Sequence, residues 1–402
     1  MPPRDVGPSP SGRDRGRRSR WFSVAGSRRR SRPIARATRC VAWGASVTAH
    51  LLGIGTATPS STLAQSEIED LVIRLAPPAN RERAIRGVFR RAGIERRASV
   101  TFEPSGAAPF FESSGKRGPP TGARVDRFLG AASKIAHEAS VSALERARVG
   151  ASEITHLITV SCTGFAAPGV EHALIASLGL RPTVRRTNIG FMGCHAAINA
   201  LAVAKAFAEA DANARVLVCC AEICSLHLQF TDEPDTAVAN ALFADGAAAA
   251  VVSARSSTDE APAITATESV VIPDSVGAMG WRIGDHGFEM RLASSVPDTL
   301  AANVPDWVRG VLDRRELCVR DVSAWAIHPG GPRVLTSVAS ALELEESAVA
   351  ASRGVLSAHG NMSSATVLFI IDELMRTVAS LPLVALAFGP GLAGEALVLE
   401  QR

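Results

Sequence analysis

The chain has 402 residues, is 47% hydrophobic and 20% charged, and carries a formal net charge of +4. That is apolar material for one large core or two fused ones, and no run of about 18 apolar residues points to a membrane-spanning helix. The positive charge is concentrated in residues 1–39, with twelve Arg against two Asp, so the remainder is mildly acidic.

Tyrosine is absent and arginine supplies nearly all the positive charge, a bias of base composition on which no function is built. The seven cysteines fall at 40, 162, 194, 219, 220, 224 and 318 without a C-x-x-C pair. A disulfide framework or zinc site is therefore not expected, and neither is any metal; a reducing cytoplasm fits best.

Residues 1–47 are rich in Arg, Ser, Pro and Gly and lack periodicity. They read as a disordered basic extension or an early start codon, with a targeting arm or a nucleic-acid-binding tail as sharper readings. A first core strand and turn are expected over 51–57. Strands follow at 156–161, 215–220, 247–253, 322–328, 383–388 and 395–400. Helices are predicted over 125–148, 171–178, 196–209, 332–342 and 365–380. Buried strands alternating with helices predict a layered α/β protein. Each half ends in a Gly-rich β segment, a weak internal echo, and the polar stretch 256–262 separates halves at 48–257 and 258–402.

Cys194 closes the glycine-punctuated run Asn188-Ile189-Gly190-Phe191-Met192-Gly193 and precedes a small-residue helical stretch. A thiol at a helix N-terminus is favoured as thiolate. A buried structural cysteine is the bland alternative. His195 is its neighbour, but adjacent helix positions diverge, so it is a poor base. His328 ends a strand before Pro329-Gly330-Gly331-Pro332, where it is either a catalytic imidazole or a turn residue. Asn361 precedes an apolar helix and either caps it or donates to an oxyanion. A thiol, an imidazole and an amide donor suit acyl transfer through a thioester.

Several motifs, in order, carry a resemblance over about residues 50–402. They are Gly53-Ile54-Gly55-Thr56-Ala57-Thr58-Pro59, Gly193-Cys194, Leu242-Phe243-Ala244-Asp245-Gly246-Ala247-Ala248, His328-Pro329-Gly330-Gly331-Pro332, Gly360-Asn361-Met362-Ser363-Ser364-Ala365-Thr366 and Phe388-Gly389-Pro390-Gly391. The sequence resembles the type III polyketide synthases, the chalcone and stilbene synthase superfamily. The resemblance implies a duplicated thiolase fold of five αβαβα layers and a homodimer. It implies an acyltransferase that condenses malonyl-CoA, with decarboxylation, onto an acyl-CoA starter and needs no prosthetic cofactor. Cys194 would hold the starter; His328 would stabilise its thiolate and, with Asn361, polarise the malonyl thioester. The backbone N–H of Cys194 would serve the acyl-enzyme oxyanion.

The same resemblance implies substrate-binding roles for Phe243, Met290, Phe288, Cys162, Cys224, His227, Ser363, Gly330, Gly331, Gly389, Pro390 and Gly391. Met290 stands where the family carries a second gatekeeping aromatic. Cys162, Cys224 and His227 replace threonines of the plant pattern, and such cysteines resemble bacterial members, including tetrahydroxynaphthalene synthases. Arg83, Arg86 and Arg91 are the expected CoA phosphate ligands, with a solvated basic helix face as the alternative. The expected product is an alkylpyrone or alkylresorcinol; a malonyl-primed tetrahydroxynaphthalene is the runner-up.

Other classes fit less well. A carrier-protein-dependent ketoacyl synthase shares the triad and lacks the His-Pro-Gly-Gly-Pro motif. A degradative thiolase needs a second Cys, absent from 388–394. A papain-like protease would not bring repeated α/β units, and the intact triad argues against a non-catalytic homologue. The basic arm would bind nucleic acid only nonspecifically.

Overall fold

The computed structural model describes residues 47–401 apart from 76–81, 104, 106, 116, 231–233, 256–260 and 378–380. Residues 1–46 of the expected basic extension, and most of the proposed boundary between halves, lie outside the described residues. The strands are β1 (His50–Ala57), β2 (Thr62–Ala64), β3 (Arg96–Ala98), β4 (His156–Ser161), β5 (Arg185–Gly190), β6 (Arg215–Ile223), β7 (Asp245–Ser253), β8 (Ala263–Val271), β9 (Met279–Gly284), β10 (Gly287–Leu292), β11 (Ala324–Ile327), β12 (Leu383–Gly389) and β13 (Ala393–Glu400). The helices are α1 (Gln65–Leu75), α2 (Glu82–Arg91), α3 (Pro109–Glu112), α4 (Thr121–Ala147), α5 (Val170–Leu178), α6 (Ala196–Ala210), α7 (Pro234–Leu242), α8 (Val296–Asp313), α9 (Pro332–Ala341), α10 (Ala350–His359) and α11 (Thr366–Thr377).

Nine strands run in the order β11-β12-β13-β8-β1-β7-β6-β4-β5. The duplication hinted at in the sequence is explicit in this order. β4 is parallel to β6, then β7 and β1 follow antiparallel. β11 is parallel to β12, then β13 and β8 follow antiparallel. Within the sheet the two repeats join where β1 pairs with β8, at His50 with Ala263.

β7 and β12 are buried along their whole length, as continuous apolar runs demand when both faces of a sheet are covered. α6 and α11 lie between the repeats and share a core with strands of both. α6 can do so because Ala196, Ala197, Ala200, Ala204 and Ala208 bring no bulk. α4 and α5 cover the outer face of one repeat, and α8 and α9 that of the other. These are the five layers of the thiolase fold.

α8 has no counterpart among the predicted helices, and it carries two prolines, Pro297 and Pro305. Pro297 sits in its first turn, where no N–H bond is lost, and Pro305 is tolerated inside because Val304, Val308 and Val311 anchor the face against the core. The outermost strand β5 leaves both faces largely exposed.

Candidate active site

The site forms where equivalent parts of the two repeats converge. Cys194 precedes α6, and Asn361 precedes α11 by way of a short 3-10 turn, Ser363–Ala365. Cys162 follows β4 just as His328 follows β11. The duplication therefore supplies two pairs of matching positions, one member from each half.

Cys194 is buried, in a cavity of about 30 Å³ shared with Cys162, Cys224, Phe243, Met290, Ser363 and Pro390. The approach to it is tight. Gly193 has φ of +94°, and a Cβ there would lie 2.3 Å from Cδ of Pro390. A Cβ on Gly389 would lie 2.5 Å from the His195 ring. The Gly193 N–H donates to the Cys162 sulfur at 3.1 Å. These contacts explain the glycines of both motifs better than turn geometry alone.

Burial pushes the Cys194 thiol up to about 12, and the charge of Glu222 adds to the rise; a hydrogen bond from Ser363 opposes it. The sequence favoured a thiolate at a helix N-terminus. In the fold desolvation is the larger effect, so a thiolate needs a cation formed beside it. Cys162 and Cys224 are raised by the same cause.

His328 is 1% exposed, and its backbone N–H donates to the Leu386 carbonyl at 2.8 Å. Neither ring nitrogen has a hydrogen-bond partner among the described residues. Burial, followed by the nearby His195, pulls its pKa down to about 3, so the imidazole is neutral. The Asn361 backbone bonds on both sides to the 242–244 segment, donating to Leu242 and accepting from Ala244, each at 2.9 Å. Its side-chain oxygen accepts from Ser363 N–H at 2.9 Å, which turns the amide donor end away from this turn. His195 gives its Nδ1 to Asn199 at 2.8 Å, in keeping with its exclusion as the base.

Phe288 and Met290 stand on one face of β10 and both line a second cavity of about 30 Å³, together with His227, Phe243 and Cys224. His227 is spent: its Nε2 donates to the Thr163 carbonyl at 2.6 Å, and its Nδ1 accepts from Phe288 N–H at 3.0 Å. Burial holds it neutral, with a pKa down at about 3, and Phe288 stacks on it at 4.1 Å.

Gly330 and Gly331 line a larger cavity of about 560 Å³ with Arg91 and Leu242. Leu242 and its neighbour Phe243 thus face different cavities. Of the three arginines expected at a CoA phosphate, Arg91 lines this cavity, and Arg83 is exposed on α2. Arg86 is committed elsewhere: it pairs with Glu69 at 2.6 Å, Glu82 at 2.8 Å and Asp70 at 3.0 Å. Three carboxylates leave its charge more than neutralised, so it does not fit a phosphate. Arg333, at the start of α9, also lines the cavity and was not foreseen.

Three further groups escaped the sequence reading. Trp281 lines both small cavities and donates its indole N–H to the Cys162 carbonyl at 2.7 Å. Glu222 is fully buried and accepts from Cys162 N–H, Thr163, Ser161 and Ser364. Burial raises its pKa despite these bonds. A lone acid at the end of the apolar run 215–223 was the available signal. Arg97, downstream of α2, lies on β3 and is 3% exposed.

Among known proteins, the chalcone and stilbene synthase N-terminal-domain model matches residues 38–256 and the C-terminal-domain model residues 263–401. The chain is 34% identical to bisdemethoxycurcumin synthase of Oryza sativa subsp. japonica, over 88% of this chain and 92% of that one. It is 30% identical to the alpha-pyrone synthesis polyketide synthase-like Pks18 of Mycobacterium tuberculosis, over 87% and 90%. Among solved structures, PKS-I of the brown alga Ectocarpus siliculosus superposes with a TM-score of 0.82 at 27% identity, over 88% of this chain and 98% of that one. The C-terminal type III domain of Steely1 from Dictyostelium gives 0.82 at 28% identity, over 88% and 99%.

Proposed function

The chain belongs to the chalcone and stilbene synthase family of type III polyketide synthases, and from that premise we propose that it extends an acyl-CoA starter with malonyl-CoA to an alkylpyrone or alkylresorcinol. The observation that carries this reading is the buried Cys194 on a cavity walled by Phe243, Met290 and Ser363. Cys194 attacks the starter carbonyl as its proton passes to His328, and the C–S bond to CoA breaks with that proton returned to the leaving thiolate, so CoA departs as the free thiol and His328 is neutral again. Both charges arise together, because burial opposes either alone. Malonyl-CoA then presents its thioester oxygen to His328 and the Asn361 amide. Loss of CO2 leaves an enolate that these donors stabilise, and its carbon attacks the Cys194 thioester. The 560 Å³ cavity with Arg91, Gly330 and Gly331 is where we place the CoA arm.

Met290 in place of an aromatic leaves an adaptable wall, which favours a long acyl starter. The likeness to a protein named for alpha-pyrone synthesis supports the same product class. Cys162 and Cys224 on the cavity wall favour a second reading, a malonyl-primed tetrahydroxynaphthalene. For the homodimer we assign the open edge strand β5 with the exposed Phe165, Phe191 and Met192 beside it.

Purified protein with malonyl-CoA, with and without acyl-CoA starters from acetyl to palmitoyl, separates these readings by mass spectrometry. Pyrones or resorcinols that require an acyl-CoA starter, with long acyl chains preferred over short ones, are expected. Products from malonyl-CoA alone would favour the naphthalene. Retained chain extension in Cys194→Ala would sink the nucleophile assignment.

A further inference from the structure

The second small cavity is separated from the one at Cys194 by Cys224, Phe243, Trp281 and Met290, which line both. Its other wall carries Arg97, the single residue with a full charge among its described lining residues. Arg97 reaches it from β3, and its Nη1 donates to the carbonyls of Asn240 and Phe243. Its Nε and Nη2 have no hydrogen-bond partner among the described residues.

An unspent buried donor is costly, on the order of 1–3 kcal/mol, so its persistence needs a reason. The Phe89 ring, 5.8 Å from the guanidinium carbon, faces the cation but offers no oxygen acceptor, and neighbouring polar groups are spent. Asp245, the nearby acid, gives its oxygens to Ser225 and to Val100 N–H. Asn240 and Gln229 bond to each other. The guanidinium stays charged at neutral pH even though burial pulls it down to about 9.

We propose that Arg97 forms an oxygen-binding subsite for the growing poly-β-keto chain, its Nε and Nη2 donating to a keto or enolate oxygen that passes Phe243 and Met290. The inference rests on the reading that Cys194 carries the chain. A chain borne there can reach this cavity by displacing a flexible methionine. A saturated alkyl tail offers these donors no acceptor, whereas each extension adds a carbonyl. Arg97 therefore selects for the keto-bearing segment and leaves an alkyl starter to lodge elsewhere. A carboxylate at the far end of a malonyl primer has the same oxygen chemistry, and the test separates the two sources.

Wild type, Arg97→Lys and Arg97→Met are compared with hexanoyl-CoA plus malonyl-CoA, and with malonyl-CoA alone. Starter loading on Cys194 is read by intact mass, malonyl decarboxylation by CO2 release, products by mass spectrometry and folding by melting temperature. Folded Arg97→Met is expected to load and decarboxylate within about twofold of wild type. Its ratio of longest to shortest hexanoyl-derived product should fall about tenfold or more, with partial recovery in Arg97→Lys. An unchanged ratio overturns the proposal, as does equal loss of loading and decarboxylation, which marks a structural staple. An effect confined to malonyl-CoA alone assigns the oxygen to a primer carboxylate and overturns the keto assignment. If Arg97→Met does not fold, Arg97→Lys decides: a ratio lowered threefold supports the subsite, and an unchanged ratio or unfolding overturns it. Silence of wild type in every reaction would instead refute the synthase reading itself.

Discussion

The contact between Gly193 and Pro390 gives a sharp test of how the thiol is held. Gly193→Ala places a methyl group 2.3 Å from the Pro390 ring, which is tied to its own backbone and cannot rotate away. The φ of +94° adds strain for any residue with a Cβ, about 1–3 kcal/mol. Overpacking adds about 1–3 kcal/mol more. The sum, on the order of 2–6 kcal/mol, corresponds to a fall of roughly 3–8 °C in melting temperature for a domain of about 350 residues. An ordinary contact needs the two groups to separate by about 1 Å, and a displacement of that size beside a reacting atom costs about a hundredfold in rate. Melting by scanning fluorimetry and hexanoyl transfer to Cys194 by intact mass read both effects. A melting temperature within about 1 °C of wild type, with acylation within about twofold, would refute the packing argument.

Other outcomes follow from the same geometry. Removing the proposed proton acceptor in His328→Gln should slow iodoacetamide labelling of Cys194 at pH 7 by about tenfold or more; equal rates would break the proposed Cys-His pairing. His227 and His328 are held neutral with pKa values near 3, while the unfolded chain takes up protons below about 6.5. Their stabilisation is complete above about pH 6.5 and is lost as pH falls toward 3, at about 1.4 kcal/mol per unit for each. Asp245, raised to about 6, and Glu222, also raised, act in the opposite sense as pH falls. The histidine part is isolated by His227→Gln, whose urea midpoint should fall less between pH 7.5 and pH 5.5 than that of wild type; an equal or larger fall would contradict this. Phe165→Asp should shift the protein toward monomer in light scattering after gel filtration; an unchanged mass would move the interface elsewhere.

Strands buried on both faces were legible because continuous apolar runs between turn signals leave few alternatives. β6 and β12 emerged within a few residues of their bounds. The edge strand β5, with Arg185, Arg186, Thr187 and Asn188, was invisible because its hydrogen bonds to β4 owe nothing to apolar patterning. β9 was missed for a similar reason, since Arg282 and Ile283 are both exposed and leave no apolar alternation. Motif residues near Cys194 were found because glycine and proline mark close approach in the chain itself. Glu222, Trp281 and Arg97 were not, because their significance lies in partners 60 to 146 residues away.

Phe243 and Asn361 are joined in one backbone ladder, whereas Met290 and Trp281 face each other on a two-stranded ribbon outside the main sheet. Selection for a new product can therefore not treat the two walls alike. A backbone shift at residue 243 travels directly into Asn361, whose amide is proposed to bind the malonyl thioester, so variation there should be penalised by lost turnover. The ribbon can drift, since its neighbours share no ladder with the thiol, the imidazole or the amide. Lineages diversifying this scaffold should accumulate their changes at position 290 before 281, where the indole is held by the Cys162 carbonyl, and libraries aimed at altered chain length are best concentrated there.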